Sequence, residues 1–396
     1  MKTASKIDKL IEKGVRIPNP QSVEIGDEVS VDRIAGQSVT IFSGSRIRGQ
    51  DTFISKGVKI GQEGPATIEN CYLGPDVALK GGYFQESVFL EGAHCGLGAH
   101  VRQGTILEEQ AGIAHTVGLK QTILFPYVTL GSLINFCDCL MAGGTSRQNH
   151  SEVGSSYIHF NYTPYQDKAT PSLIGDVPRG VMLKQPPVFL GGQGGLVGPC
   201  RIAFGTVVAA GTICRKDQLQ ENHMVIENRL PTASIAIKSN AYRNLKHILR
   251  NNFIYIGNLY ALRQWYLHVR SRFVGEHFAP LLLEGLLATL GKGIDERIKQ
   301  LGRLAEKVES SPKKSGTPEE TFGANWDRIV TKLNLLMEYG GRPELQDRFS
   351  TIIDEKIQTG GKHYLKIVQS LDDHQSDLGV RWLRSVVDHL ISQLPV

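Results

Sequence analysis

The chain has 396 residues, 41% hydrophobic and 21% charged, and 44 basic against 39 acidic side chains leave a formal net charge of +5. This composition is globular rather than disordered, and its mixed charge lacks the concentrated basic stripe of a nucleic-acid binder. The length predicts two domains, and no stretch approaches the ~20 consecutive apolar residues of a membrane span, so neither nucleic acid nor a membrane is an expected partner.

Residues 1–18 begin MKTASKIDKLIEKG, a charged amphipathic stretch that predicts a short helix and carries no apolar signal core. The six cysteines (Cys71, Cys95, Cys137, Cys139, Cys200, Cys214) show no disulfide-framework spacing, so a cytoplasmic location is expected.

From 19 to 237 aliphatic residues recur every six positions, most cleanly at Leu190, Leu196, Ile202 and Val208. Shorter runs are Ile41, Ile47 and Phe53; Ile54, Ile60 and Ala66; and Leu124, Leu130 and Phe136. Glycine often follows the aliphatic, as in Ile60-Gly61, Leu130-Gly131 and Leu190-Gly191. A chain that advances by one short strand and then turns needs small or positive-φ residues at its corners, while the aliphatic points inward onto its equivalents above and below. Three hexads, about 18 residues, make one coil of a parallel β-helix. An ordinary sandwich would instead alternate apolar and polar residues in strands 8–12 residues apart. The fold class expected is mainly β, a hexapeptide-repeat parallel β-helix followed by an α-helical domain over 238–396.

In that second part glycine thins out, and AYRNLKHILRNNFIYIGNLYALRQWYLHVRSRF carries apolar residues at helical spacing. The Pro- and Ser-rich stretch Ser310 to Glu320 reads as a loop between two helical groups. The stripe Phe253, Tyr260, Trp265 and Tyr266 predicts packing, and the helices are expected to cover one end of the solenoid, where the last coil exposes edge backbone.

From Thr145 the repeat is interrupted by TSRQNHSEVGSSYIHFNYTPYQDKATPSLIGD, which gathers His, Asn, Tyr, Lys and Asp. Asn161-Tyr162, Lys168, Ile174-Gly175-Asp176, Val188-Phe189-Leu190-Gly191, Leu196-Val197-Gly198-Pro199 and Val208-Ala209-Ala210-Gly211-Thr212 follow in order. This series resembles the C-terminal acetyltransferase half of the bacterial N-acetylglucosamine-1-phosphate uridyltransferase/glucosamine-1-phosphate acetyltransferase family. The resemblance implies a left-handed β-helix that forms a homotrimer with its active site between subunits.

It also implies roles. His150 looks like the family's general base toward the sugar amine, a task suited to an imidazole that titrates near neutrality; His159 is a competitor for it. Asn161, Tyr162 and Lys168 correspond to binding groups for the sugar phosphate or nucleotide sugar, and Gly192, Ala209 and Ala210 lie where the family threads the pantetheine arm of acetyl-CoA. The pattern departs from the family in three ways. Val153 stands where a sugar-binding tyrosine is expected, the Cys137-Asp138 region where a lysine is expected, and Val177 to Pro187 is an insertion that reads as a lid or arm. Arg179 joins Arg147 as a replacement cation. Cys137 and Cys139 lack the further ligands of a zinc site, so no metal is expected.

No LxAGxGTRM nucleotide loop occurs, so uridyl transfer is not expected of this polypeptide. The resulting expectation is an acyltransferase. The alternatives are a non-catalytic sugar-nucleotide-binding regulator, or an assembly module whose contact face includes Arg263, Trp265 and Arg270.

Overall fold

The computed structural model describes residues 2–163, 168–226, 234, 244–309 and 322–394. Between Glu24 and Val225 the chain winds through three parallel sheets in rotation, each short strand pairing with the strand one coil before and after it. The first sheet runs from Thr40–Ile41 to Met224–Val225, the second from Glu24–Ile25 to Ile213–Cys214, and the third from Phe53–Ile54 to Arg201–Ile202.

The inward rungs explain the six-residue period. In the first sheet Ile41, Ile60, Leu79, Cys95, Ile113, Leu130, Val153, Leu190 and Val208 stack in register. All are buried, and each buried aliphatic contributes about 1.5–3 kcal/mol. One of the expected rungs is displaced. Ile54 holds the inward place, while Phe53 is only half-buried and pairs with Tyr72 on the outer face of the third sheet.

The third sheet differs from the other two because both of its faces are buried, as in Ser87–Phe89, Thr105–Leu107 and Cys139–Met141. Its outer side is covered by helices, which is why its strands read as continuous apolar runs rather than alternating ones. The helices here are α1 (Lys2–Glu12), α2 (Val177–Gly180), α3 (Leu245–His268), α4 (Pro280–Glu309), α5 (Trp326–Leu336), α6 (Pro343–Gly360), α7 (Tyr364–Gln369) and α8 (Asp373–Gln393). From Asn251 to Tyr266 helix α3 is buried on nearly every side between the solenoid and its neighbours, as a helix without a polar face must be. Helix α4 runs against the third sheet so closely that a Cβ on Gly285 would lie 2.5 Å from the Tyr72 ring.

The helices therefore lie along the side of the solenoid rather than over one end, contrary to the sequence expectation. The N-terminal end is closed instead by α1, whose Ile7 and Leu10 are buried. Lys6 Nζ donates to the carbonyls of Gly26, Asp27 and Val29 at 2.9, 2.6 and 2.8 Å, satisfying backbone at that end. The boundary expected at 237–238 and the Ser310 to Glu320 loop lie outside the described residues.

Buried polar pairs join helices to solenoid. Tyr266 donates to Glu108 at 2.6 Å, and Arg270 pairs with Glu109 while its guanidinium lies 3.7 Å from the Tyr364 ring centre. Two carboxyls share one arginine there, so burial, then repulsion from Glu109, pushes the Glu108 carboxyl well above the usual range. Phe253, Tyr260, Trp265 and Tyr266 are all fully buried, as packing residues. Arg270 is buried too, and Arg263 pairs with Glu338 at 3.3 Å, so the proposed Arg263, Trp265 and Arg270 contact face is not a surface.

Candidate active site

At the corner between the third and first sheets, Gly144–Ser146 and Asn149–His150 leave the coil as an antiparallel hairpin. The glycine pair before it is required by geometry. Gly144 has φ +98°, and a Cβ there would fall 2.6 Å from His150 Cα, so only glycine permits the crossing. Gln369 of α7 braces the hairpin by donating to the Thr145 carbonyl at 2.6 Å. Arg147, at the tip, folds back to donate to the Gln110 carbonyl at 2.8 Å.

His150 is half-buried, with Nδ1 2.8 Å from the Arg147 carbonyl. A carbonyl oxygen can only accept, so Nδ1 carries the proton of the neutral ring and the lone pair sits on Nε2. Nε2 lies 3.9 Å from a Glu152 carboxylate oxygen. Glu152 lines the outer face of the first sheet in register with Thr129, and Thr129 with Gly112, which pairs with His94. The His94 ring lies over Gly112, and burial and the nearby Arg147 charge hold its pKa below the ordinary value. His94, Thr129, Arg147, His150 and Glu152 thus form one polar cluster on the outer face of the first sheet and the hairpin beside it. Sequence reasoning missed His94 and Glu152, although both occupy the outward place directly before an inward rung residue, Cys95 and Val153.

The other expected binding groups lie elsewhere. Asn161 follows the second-sheet strand Ile158–Phe160, at the corner leading to the third sheet. Its amide donates to Asp138 Oδ2 at 2.7 Å, and Asp138 Oδ1 pairs with Arg297 of α4 at 2.7 Å. Asn161 is therefore engaged in anchoring the helical domain. The lysine that the resemblance led one to expect is replaced by an acid that serves the same anchor. Tyr162 and Lys168 beside it are exposed, while residues 164–167 lie outside the described residues.

Within one chain, then, His150 and Arg147 occupy one corner of the triangular solenoid and Asn161, Tyr162 and Lys168 another. Gly192, Ala209 and Ala210 stack at the third corner, between the first and second sheets. Small residues are packing requirements there: a Cβ on Gly191 would lie 2.5 Å from Ala210 N. Ala210 itself is exposed.

The competitor His159 is a core residue. It takes an inward rung of the second sheet in register with Leu196, bonds Ser172 Oγ at 2.8 Å, and burial lowers its pKa to about 4. Val153 also points inward, so it has no access to a ligand. Arg179 is held by Asp176 and Glu221 and lies over the Phe204 ring, which removes it from this cluster. Cys137 is buried with its thiol donating to Asn135 at 3.1 Å. Among the described residues no group of three His, Cys, Asp or Glu side chains is arranged to hold a metal, and no helix is long and apolar enough to cross a membrane.

The insertion forms α2 and a following turn rather than a free arm. Asp176 caps α2, the Gln185 carbonyl accepts from Gly144 N at 3.0 Å, and Val188 N donates to Ser151 Oγ at 2.9 Å. It thereby supports the base of the His150 hairpin from behind.

No family model matches the chain. Over 213 residues it is 26% identical to the bifunctional protein GlmU of Thermotoga maritima, and equally to those of Thermotoga petrophila and Thermotoga sp. strain RQ2. The matched stretch is 54% of this chain and 42% of each relative, so the chain spans less than half the length of the curated relatives it matches. With the hexad solenoid, this similarity supports kinship with GlmU-like hexapeptide-repeat proteins.

Proposed function

We propose that the protein is an acetyl-CoA-dependent acyltransferase acting on an amino-sugar phosphate or nucleotide sugar, with His150 as general base. The observation that carries this reading is the His150 ring, oriented by the Arg147 carbonyl so that the Nε2 lone pair is available beside Glu152. In the reaction the acceptor nitrogen attacks the thioester carbonyl and loses a proton to His150 Nε2. The carbon–sulfur bond then breaks and the thiolate leaves, recovering a proton from the imidazolium. Arg147 holds the acceptor phosphate, and Glu152 lies beside the ring.

The working unit in this reading is a homotrimer. The third sheet is covered by helices, which leaves the first and second sheets for self-association. Both carry exposed apolar side chains: Phe189 and Met224 on the first, Ile158 and Phe160 on the second, with Leu97 and Leu133 at the corner between them. When the first sheet of one subunit faces the second sheet of the next, the His150 corner approaches the neighbour's Tyr162 and Lys168. A groove would then be completed across the boundary, with Gly192, Ala209 and Ala210 beside the thioester arm.

A second reading, a sugar-nucleotide-binding protein without turnover, draws on Asn161 being bound to Asp138 and Val153 facing the core. One experiment separates them: thiol release from acetyl-CoA is followed with glucosamine 1-phosphate and with UDP-sugars, for the parent and His150→Ala. Turnover lost at least 100-fold in the variant supports the transferase. Ligand binding with no turnover in either protein supports the second reading and refutes the first.

A further inference from the structure

A second cavity of about 340 Å³ lies where the last coils of the third sheet meet α3 and α8, with α2 as a side wall. It is built from one chain and does not include His150. Its volume falls within the ~300–1,000 Å³ range of small-molecule clefts. Part of its wall is apolar: Leu173 and Ile202 come from the sheet, Ile254 from α3, and Val387 and Ile391 from α8. The 250, 254, 258 and 384, 387, 388, 391 spacings place these helix positions along one face each.

The charges on the two sides differ. On the solenoid side they are satisfied: Arg179 is paired with Asp176 and Glu221, and Arg201 with Asp217 at 3.1 Å. On the helical side Arg250 and Arg384 are exposed, and neither has an ion-pair partner among the described residues. Asp388 stands one turn beyond Arg384 on the same rim. Two guanidinium forks without an ion-pair partner among the described residues, at the rim of a cavity of mixed polar and apolar lining, match a phosphoryl group, which accepts several N–H bonds at once.

We propose that this cavity binds a phosphorylated, hydroxyl-bearing small molecule. Arg250 and Arg384 hold the phosphoryl group, Asp388 accepts from a hydroxyl, and the carbon skeleton lies against Ile254 and Ile391. A sugar phosphate and a mononucleotide share this chemistry.

The test is calorimetric titration of the full-length protein with inorganic phosphate, glucose 1-phosphate and UMP. It is run on the parent, on Arg250→Ala/Arg384→Ala, on Arg384→Glu and on His150→Ala. The proposal expects one of the two esters to bind the parent and His150→Ala alike, more tightly than inorganic phosphate, and the tighter ester identifies the source. Affinity falls at least about tenfold in both arginine variants, as expected for losing a charge-assisted bond, and it weakens as salt rises. Both arginines are exposed, so an unchanged melting temperature confirms that the variants are folded. Absence of ester binding to the parent, binding indifferent to the arginine variants, or inorganic phosphate binding as tightly as the esters would each overturn it. Because His150→Ala retains the site, a failure here is distinct from a failure of the acyl-transfer reading.

Discussion

Replacing Arg297 by Met tests whether the Asp138 corner is an anchor rather than a substrate site. Asp138 and Arg297 are both nearly inaccessible, at 7% and 3% exposure, and their 2.7 Å pair links the second-to-third sheet corner to α4. Removing the cation leaves a buried carboxylate with the Asn161 amide as its remaining side-chain partner. Breaking a buried pair from one side costs about 3–5 kcal/mol, because the orphaned charge keeps its desolvation penalty. Adding Asp138→Asn removes that charge, so the double variant regains stability over Arg297→Met alone. Asn161→Ala, which deletes one hydrogen bond to a charged group, costs about 1.5–3 kcal/mol. Urea unfolding followed by circular dichroism measures all of these. An Arg297→Met variant within ~0.5 kcal/mol of the parent, or a double variant no better than the single, would refute the anchor.

Two further perturbations follow from single residues. His159 has a folded pKa of about 4 against an ordinary 6.5, so the unfolded chain binds more protons between those values. Stability is therefore full above pH 6.5 and declines as pH falls toward 4, by up to about 3 kcal/mol. Urea midpoints against pH should lose this component in His159→Leu, and identical slopes for the two proteins would contradict it. Gly144→Ala forces a side chain into a left-handed conformation and against His150 Cα, costing roughly 2 kcal/mol or more. Hydrogen exchange should show residues 144–150 deprotected with the coils intact, whereas unchanged protection would show that the hairpin does not depend on the glycine.

The solenoid was legible because its physics is local: most inward rungs are aliphatic, and Leu190, Leu196, Ile202 and Val208 complete one full coil without a slip. The same register carried through the polar loop places His159 on the inward rung with Leu196, which removes it as a base. The covered third face was also written in the chain. Val88-Phe89-Leu90, Ile106-Leu107 and Ile123-Leu124-Phe125 are apolar runs where a solvated sheet would alternate. The partnership of Asp138 with Arg297 and of Glu109 with Arg270 had no such signal, because charged residues far apart in sequence carry no spacing that pairs them. That is why Asn161, which reads as a sugar ligand in its motif, turns out to serve the helical domain. The hairpin that carries His150 is set by a local feature, the Gly143-Gly144 pair that permits it.

The central claim is that the catalytic groove is shared between chains, the His150 corner from one and the Lys168 corner from its neighbour. It is tested most directly by mixing His150→Ala and Lys168→Ala proteins, unfolding and refolding them together, and measuring thiol release from acetyl-CoA. Each variant alone should be inactive. In randomly assembled mixed trimers about a quarter of the boundaries combine an intact His150 with an intact Lys168, so roughly that share of parent activity should return. A mixture as inactive as its components, made from a parent that is itself active, would contradict a shared site.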